Sequence, residues 1–243
     1  MKITWLGHAT FSFEFAGGEV LLLDPFIDGN PVYPKGYEIK RADVIALTHA
    51  HGDHTGNAIP LAQKFSSKVA AIFELAGILE GKGVSNVTGF GKGGTLDLGF
   101  ATLTMTNAFH SSSFKDGDTL LYAGEPAGFI LSAKDGPRVY CAGDTCLFGD
   151  MALIGQLHQP DIAILPIGGH YTMDPREAAY AARFLKVKQV IPMHYGTFPV
   201  LKGTPEELAG HLKQDGIEVL KLTPGKPHEA PATFPTAQLS QRA

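Results

Sequence analysis

Residues 48–54 read Thr48-His49-Ala50-His51-Gly52-Asp53-His54, and they follow directly on the apolar run Asp43-Val44-Ile45-Ala46-Leu47. That run has the length and composition of a buried strand. On an extended backbone, side chains two residues apart share a face, so His49 and His51 project together. Asp53 and His54 follow where the chain turns toward Thr55-Gly56-Asn57 and a helix. Two donor pairs a few ångströms apart suit a two-metal site better than a single ion. The competing reading is a solvated polar loop, but three histidines and an aspartate at this spacing rarely occur without metal.

Metal ligands come in sets, and three more apolar runs end on donor residues. Thr102 to Phe109 alternates like a strand and ends on His110, with Ser111-Ser112-Ser113 behind it. Arg138-Val139-Tyr140-Cys141-Ala142-Gly143 ends on Asp144, and Gln189-Val190-Ile191-Pro192-Met193 ends on His194. Sites of open α/β sheets lie at such strand ends. A single histidine after a strand is usually a packed or surface residue; three donors that complement the first cluster are not.

The set resembles the metallo-β-lactamase superfamily. His49-x-His51-x-Asp53-His54 matches its signature, and His110, Asp144 and His194 match its later ligand positions in order. The likeness covers about residues 1–225. Trp5-Leu6-Gly7-His8-Ala9-Thr10-Phe11 and Pro166-Ile167-Gly168-Gly169-His170-Tyr171-Thr172-Met173 look like one branch of it. That branch comprises metal-dependent hydrolases related to L-ascorbate-6-phosphate lactonase, with N-acyl-phosphatidylethanolamine phospholipase D more distant. The resemblance implies that His49, His51 and His110 hold one divalent ion, that Asp53, His54 and His194 hold another, and that Asp144 bridges them. A bridging hydroxide would then cleave an ester, lactone or phosphodiester bond of a small substrate. Zn²⁺ suits the donors best, and Mn²⁺, Fe²⁺ or Ni²⁺ also accept imidazole and carboxylate. It also implies that Asp24 supports the histidine loop from behind. Asp53 and Asp144 are expected in the chemistry as well as in the ligand set. His8 is a candidate to orient substrate or pass a proton, against the alternative of a loop histidine making a backbone hydrogen bond, and His170, expected near the metals, is a candidate pocket-wall or substrate-binding group.

The composition agrees with a soluble, cytoplasmic enzyme. The 243 residues are 44% apolar, enough for a sizeable core. The net charge of −4 implies no attraction to nucleic acid. No secretory signal and no membrane-length apolar run is visible, and a homo-oligomer is compatible with these features. Cys141 reads as a small buried hydrophobe. Cys146 reads as a packing residue at a helix start, and no disulfide between the two is expected.

Strands dominate the first part: Ile3–Leu6, Phe11–Phe15 and Val20–Leu23. A long loop, Pro25–Arg41, then carries Tyr33, Lys35 and Tyr37. Helices are expected over Thr55–Lys64 and Glu74–Lys82. Strands follow at Thr95–Leu98, Ala101–Thr106, Thr119–Tyr122 and Gly128–Ser132. From Val139 onward strand and helix alternate, with Pro175 and Pro205 in helix first turns. Two similar halves without a linker predict an α/β fold, an αββα four-layer sandwich of two packed mixed β-sheets with helices on the outer faces. Residues 1–225 form this single domain, and 226–243 read as an irregular tail.

Two other functions compete: a redox or oxygen-handling di-iron protein of the same fold, and a non-catalytic metal-binding protein. A di-iron oxygen reductase would favour a carboxylate at position 51 and a flavin domain. A non-catalytic protein would have no need of all seven ligands. Among hydrolases, the stretch after His194 is short for the helical domain of a hydroxyacylglutathione hydrolase. The 49 residues between Asp144 and His194 leave no room for a nuclease insertion.

Overall fold

The structure, a computed structural model, describes residues 1–134 and 136–231. The first half contains β1 (Lys2–Trp5), β2 (Phe11–Glu14), β3 (Val20–Leu23), β4 (Val44–Ala46), α1 (Gly52–Thr55), α2 (Ala58–Phe65), β5 (Lys68–Ile72), α3 (Phe73–Gly81) and β6 (Val87–Phe90). The second half opens with β7 (Thr95–Asp97), β8 (Ala101–Asn107), the hairpin of β9 (Ser113–Asp116) and β10 (Thr119–Tyr122), β11 (Ala127–Ala133) and β12 (Arg138–Cys141). It continues with α4 (Met151–His158), β13 (Ile162–Pro166), α5 (Pro175–Leu185), β14 (Gln189–Met193), α6 (Pro205–Leu212), β15 (Glu218–Val219) and β16 (Pro227–Glu229).

Two seven-stranded sheets result, in the orders β16-β1-β2-β3-β4-β5-β6 and β15-β14-β13-β12-β11-β8-β7. Each combines an antiparallel part with parallel strands. Strand period 2 sorts the side chains into layers. In β13, Ile162 and Ile164 join the core shared with the first sheet, whose members include Phe11, Phe13 and Leu22, while Ala163 and Leu165 face the helices α4 to α6. Full burial of one such side chain contributes about 1.5–3 kcal/mol. The expected four-layer sandwich is therefore the observed one.

Prolines and caps place the outer helices. Asp174 and Thr204 each close a capping box, with Pro175 and Pro205 at the first helical positions.

Several details differ from expectation. The helix expected from Thr55 starts earlier and is broken into α1 and α2, because Asn57 turns its side-chain oxygen to the N–H groups of Ile27 and Asp28. Strands β5, β6 and β9 are additional. The stretch read as an irregular tail contributes β16, which pairs antiparallel with β1; Pro227 opens it at the sheet edge, where a missing N–H is tolerated. The rest of that stretch, 232–243, lies outside the described residues. Cys146 is exposed and precedes α4 by five residues, so it neither starts a helix nor packs inside. Cys141 is buried in β12 as expected. No helix among the described residues is long and apolar enough to cross a membrane.

Candidate metal centre

Strand β4 is wholly buried between β3 and β5, and beyond it the chain bends at Thr48 and runs to His51, itself extended, before turning into α1. This delivers His49, His51, Asp53 and His54 to one end of the first sheet. Asp24, just past β3, fixes the delivery from behind. Its Oδ1 accepts the Thr48 N–H at 2.8 Å, and its Oδ2 accepts from Thr48 Oγ1 at 2.6 Å and lies 2.8 Å from His54 Nδ1. The support role expected of Asp24 is thus met geometrically.

All seven donors read from the sequence converge. His49, His51 and His110 form one group, with His49 Nε2 3.1 Å from His51 Nδ1. Asp53, His54 and His194 form another, joined by His8. Asp144 lies at the junction: its Oδ2 is 3.0 Å from His194 Nε2, 3.4 Å from His54 Nε2 and 3.7 Å from His110 Nε2. His54 Nε2 and Asp144 Oδ1 are buried without a hydrogen-bond partner. Buried polar atoms are rarely left so, and ring nitrogens facing one another around a carboxylate are the donors a cation requires. The residues therefore fit a divalent metal centre.

Burial lowers the pKa values of His49, His51 and His110, which keeps their lone pairs available. Burial alone would raise Asp144 and lower His54. The neighbouring His54 and His194 outweigh it and hold Asp144 well below the carboxylate range. Asp144 and Asp24 likewise hold His54 well above its ordinary value.

The N-terminal motif lies behind the second group. Gly7 has φ +93°, and a Cβ there would stand 2.9 Å from the Val32 carbonyl carbon. The turn it permits presents Thr10 Oγ1 to the Asp24 carbonyl and to the Phe26 N–H. It also seals His8, which is 0% exposed, against the centre. His8 Nε2 is 3.1 Å from Asp53 Oδ2 and Nδ1 is 3.0 Å from Thr197 Oγ1. Burial drives this ring from 6.5 down to about 4, against the pull of Asp53.

His170 is placed differently. Its strand, β13, does lie between those leading to Asp144 and His194. The ring is exposed, however, packs edge-on against Tyr171 at 4.3 Å, and belongs to none of the donor groups. Its loop is tied down by the Met173 N–H on the Thr145 carbonyl. His170 shares one feature with the centre. Among the described residues, seven non-glycines have positive φ; Ser66, Gln159 and Lys186 end helices, and the other four are His8, Asp24, His170 and His194. Such strained positions cluster at functional sites.

Two residues of the site were not singled out from sequence. Thr197 is a lone threonine in a loop. Thr145 accepts the Phe109 N–H on Oγ1 at 3.0 Å, so it ties the His110 loop to the Asp144 loop. Only adjacency to a ligand could have pointed to Thr145. A cleft of about 670 Å³ lined by Ser12, Glu14, Tyr37, Lys40 and Arg41 shares no residue with the centre. It takes in residues 36–41 of the Pro25–Arg41 loop, whose other end reaches the centre, with the Phe26 ring 5.8 Å from that of His8.

These features can be set beside known proteins. The family described as Beta-lactamase superfamily domain matches residues 20–195. A UPF0173 metal-dependent hydrolase of Solibacter usitatus is 50% identical over 227 residues, covering 93% of this chain and 99% of the relative. The chain belongs to the beta-lactamase superfamily and, within it, to the UPF0173 metal-dependent hydrolases. Among solved structures, Igni18, a metallo hydrolase of Ignicoccus hospitalis, aligns with a TM-score of 0.82 at 35% identity, covering 93% of this chain and 97% of that one. CmlA, a diiron β-hydroxylase of Streptomyces venezuelae, aligns with a TM-score of 0.71 at 15% identity over 91% of this chain and 53% of that one, which is a likeness of fold alone.

Proposed function

We propose that this chain is a dinuclear metal-dependent hydrolase of small ester or lactone substrates, with zinc the ion best suited to its donors. The observation that carries this reading is Asp144, whose one oxygen faces histidine nitrogens of both donor groups. Divalent ions held there would supply a nucleophile from water near neutral pH and a Lewis acid for the developing oxyanion. His49, His51 and His110 would hold one ion, and Asp53, His54 and His194 the other, with Asp144 shared. The fold is compatible with oxygen chemistry too, and the histidine at position 51 in place of a carboxylate favours hydrolysis.

Among the described residues, Ser112 behind His110 is not placed as a nucleophile. Ser112 is buried and its Oγ accepts the Ala50 N–H, and no Gly-x-Ser-x-Gly elbow surrounds it. The loops 49–54, 107–112, 144–150, 168–173 and 194–201 contain no Lys or Arg. They expose Phe109 and Tyr171 instead. Phosphorylated groups call for Arg or Lys partners, so ester and lactone are favoured over phosphodiester.

Metal analysis of reconstituted protein, with a screen of esters, lactones and phosphodiesters, tests the reading. Two equivalents of metal and ester or lactone turnover that chelation abolishes are expected, with label from ¹⁸O-water in the product of a single turnover. A firm plateau at one equivalent, activity that survives verified metal loss, or a trapped acyl-enzyme would overturn it.

A further inference from the structure

We propose that His8 is a positioning residue: a buried hydrogen-bond donor that aims the Asp53 carboxylate, with its own orientation set by Thr197. The inference rests on the dinuclear reading. It begins from an asymmetry between the two acids of the centre. Asp144 is enclosed by His54, His110 and His194. Asp53 has a side chain 29% exposed, on a one-turn helix, and His8 is its one hydrogen-bond partner among the described residues; His194 Nε2 is 3.9 Å away. Among the described residues no other hydrogen bond holds the rotation of that carboxylate.

The donor direction follows from chemistry. An ionised carboxylate only accepts, so the proton of a neutral His8 ring lies on Nε2 and points at Asp53. Nδ1 is then bare and must accept, and the hydroxyl at 3.0 Å is that of Thr197. The other acceptor within reach of that hydroxyl, the Tyr195 carbonyl, is more distant at 3.4 Å. Each hydrogen bond therefore fixes the polarity of the next: Thr197 to His8, His8 to Asp53.

The main chain holds the ring at this point. The His8 carbonyl accepts from Trp5 Nε1 at 2.9 Å and from the His194 N–H at 3.1 Å, and the residue sits at φ +54°. Trp5 stacks on Tyr195, with ring centroids 5.2 Å apart. A side chain pinned from both ends and sealed from solvent is not free to carry a proton to bulk water. Its one bare nitrogen, Nδ1, is taken up by the Thr197 hydroxyl and is not turned to an ion. Outer partners of metal ligands act by orientation, and their loss typically costs about 10–100-fold in affinity.

Zinc titration of metal-free protein against a competing chelator reads the effect directly. Wild type should bind two ions. His8→Ala should still bind two, with one ion, the one Asp53 would hold, bound about 10–100-fold less tightly and the other changed by less than about threefold. His8→Gln, whose amide N–H can replace the Nε2 donor, should recover most of the loss. Thr197→Val should weaken the same ion and Thr197→Ser should restore it. With cobalt in place of zinc, the visible bands of only that ion should shift. Unchanged zinc affinity in both His8→Ala and Thr197→Val overturns the inference while leaving the dinuclear reading intact. Complete loss of one ion in His8→Ala, with Gln failing to rescue, also overturns it, since His8 would then be a ligand. A wild type that binds one ion overturns the dinuclear reading together with the inference built on it.

Discussion

Asp24 Oδ2 and His54 Nδ1 lie 2.8 Å apart in a space closed to solvent, and the same carboxylate holds the Thr48 N–H and hydroxyl. One acid thus orients a candidate ligand and the loop that carries it. Asp24→Ala should act on both. The buried Thr48 N–H loses its partner at a cost of about 1–3 kcal/mol, and metal affinity should fall about 10–100-fold. Asp24→Asn keeps an acceptor for Thr48 but cannot serve His54 as well, so it should recover stability more than affinity. Thermal unfolding of metal-free protein and zinc titration separate the two. Wild-type affinity in both variants would show that the pair does not orient His54.

Asp144 faces both donor groups, whereas His8 faces one. Asp144→Ala should therefore weaken both ions and lower kcat on a working ester by more than His8→Ala does. Metal stoichiometry and kcat measured on the same preparations check this. An equal or reversed order of losses would remove Asp144 from the bridging position.

The sequence was most legible where chemistry and periodicity coincide. The seven donors stand at strand ends or in a motif whose residue types have few other uses, and all seven meet. What escaped is physically different. Lys68–Ile72 is a buried parallel strand containing Ala70 and Ala71, and Phe73 begins a helix at once, so no turn residue separates the two. Val87–Phe90 carries Gly89, which weakens strand propensity; a Cβ there would meet Ala76 and Phe73 of the covering helix at 3.0–3.3 Å. Pairing partners decided both strands, and partners are not local. Thr197 and His8 are 189 positions apart, and no spacing rule joins them.

The buried neutral state of His8 has a consequence for acid stability in the metal-free protein. The unfolded chain takes up a proton near 6.5, whereas the folded ring does so only near 4. Between these values the unfolded state binds more protons, so stability rises with pH and is lost as pH falls through this window. The gap corresponds to roughly 3 kcal/mol. His8→Gln, which does not titrate, should flatten the denaturant-unfolding profile between about pH 6.5 and 4 by up to that amount. A wild-type slope in the variant would mean that other groups carry the acid sensitivity.

Gly168 tests the coupling between the His170 loop and the centre. A Cβ at this position would lie 2.2 Å from the His194 carbonyl oxygen and 3.0 Å from Leu201 Cβ. Both are firmly placed, so Gly168→Ala must displace the main chain of His194. Overpacking of this kind costs about 1–3 kcal/mol, a fall of several degrees in Tm for a chain of this size. Zinc affinity should fall with it. A loss of Tm at unchanged affinity would show that the displacement is absorbed on the Leu201 side.

Phe109 tests the substrate class. It is 52% exposed and immediately precedes His110. Its ring lies 5.1 Å from that of Phe148, and its N–H is held by Thr145, next to Asp144. An apolar ring fixed so close to both donor loops can cover the acyl or aryl part of an ester. Phe109→Ala keeps the main chain and removes that surface. The loss should be about 1–3 kcal/mol of binding, read as a rise in KM of about 10-fold or more for p-nitrophenyl butyrate and a smaller rise for p-nitrophenyl acetate. Because the ring contributes to binding rather than to charge development, kcat should change less than KM, and metal content should stay at the wild-type level. Equal effects on the two esters would remove Phe109 from the acyl site. A preference of the wild-type enzyme for bis(p-nitrophenyl) phosphate over both esters would reject the uncharged substrate class itself.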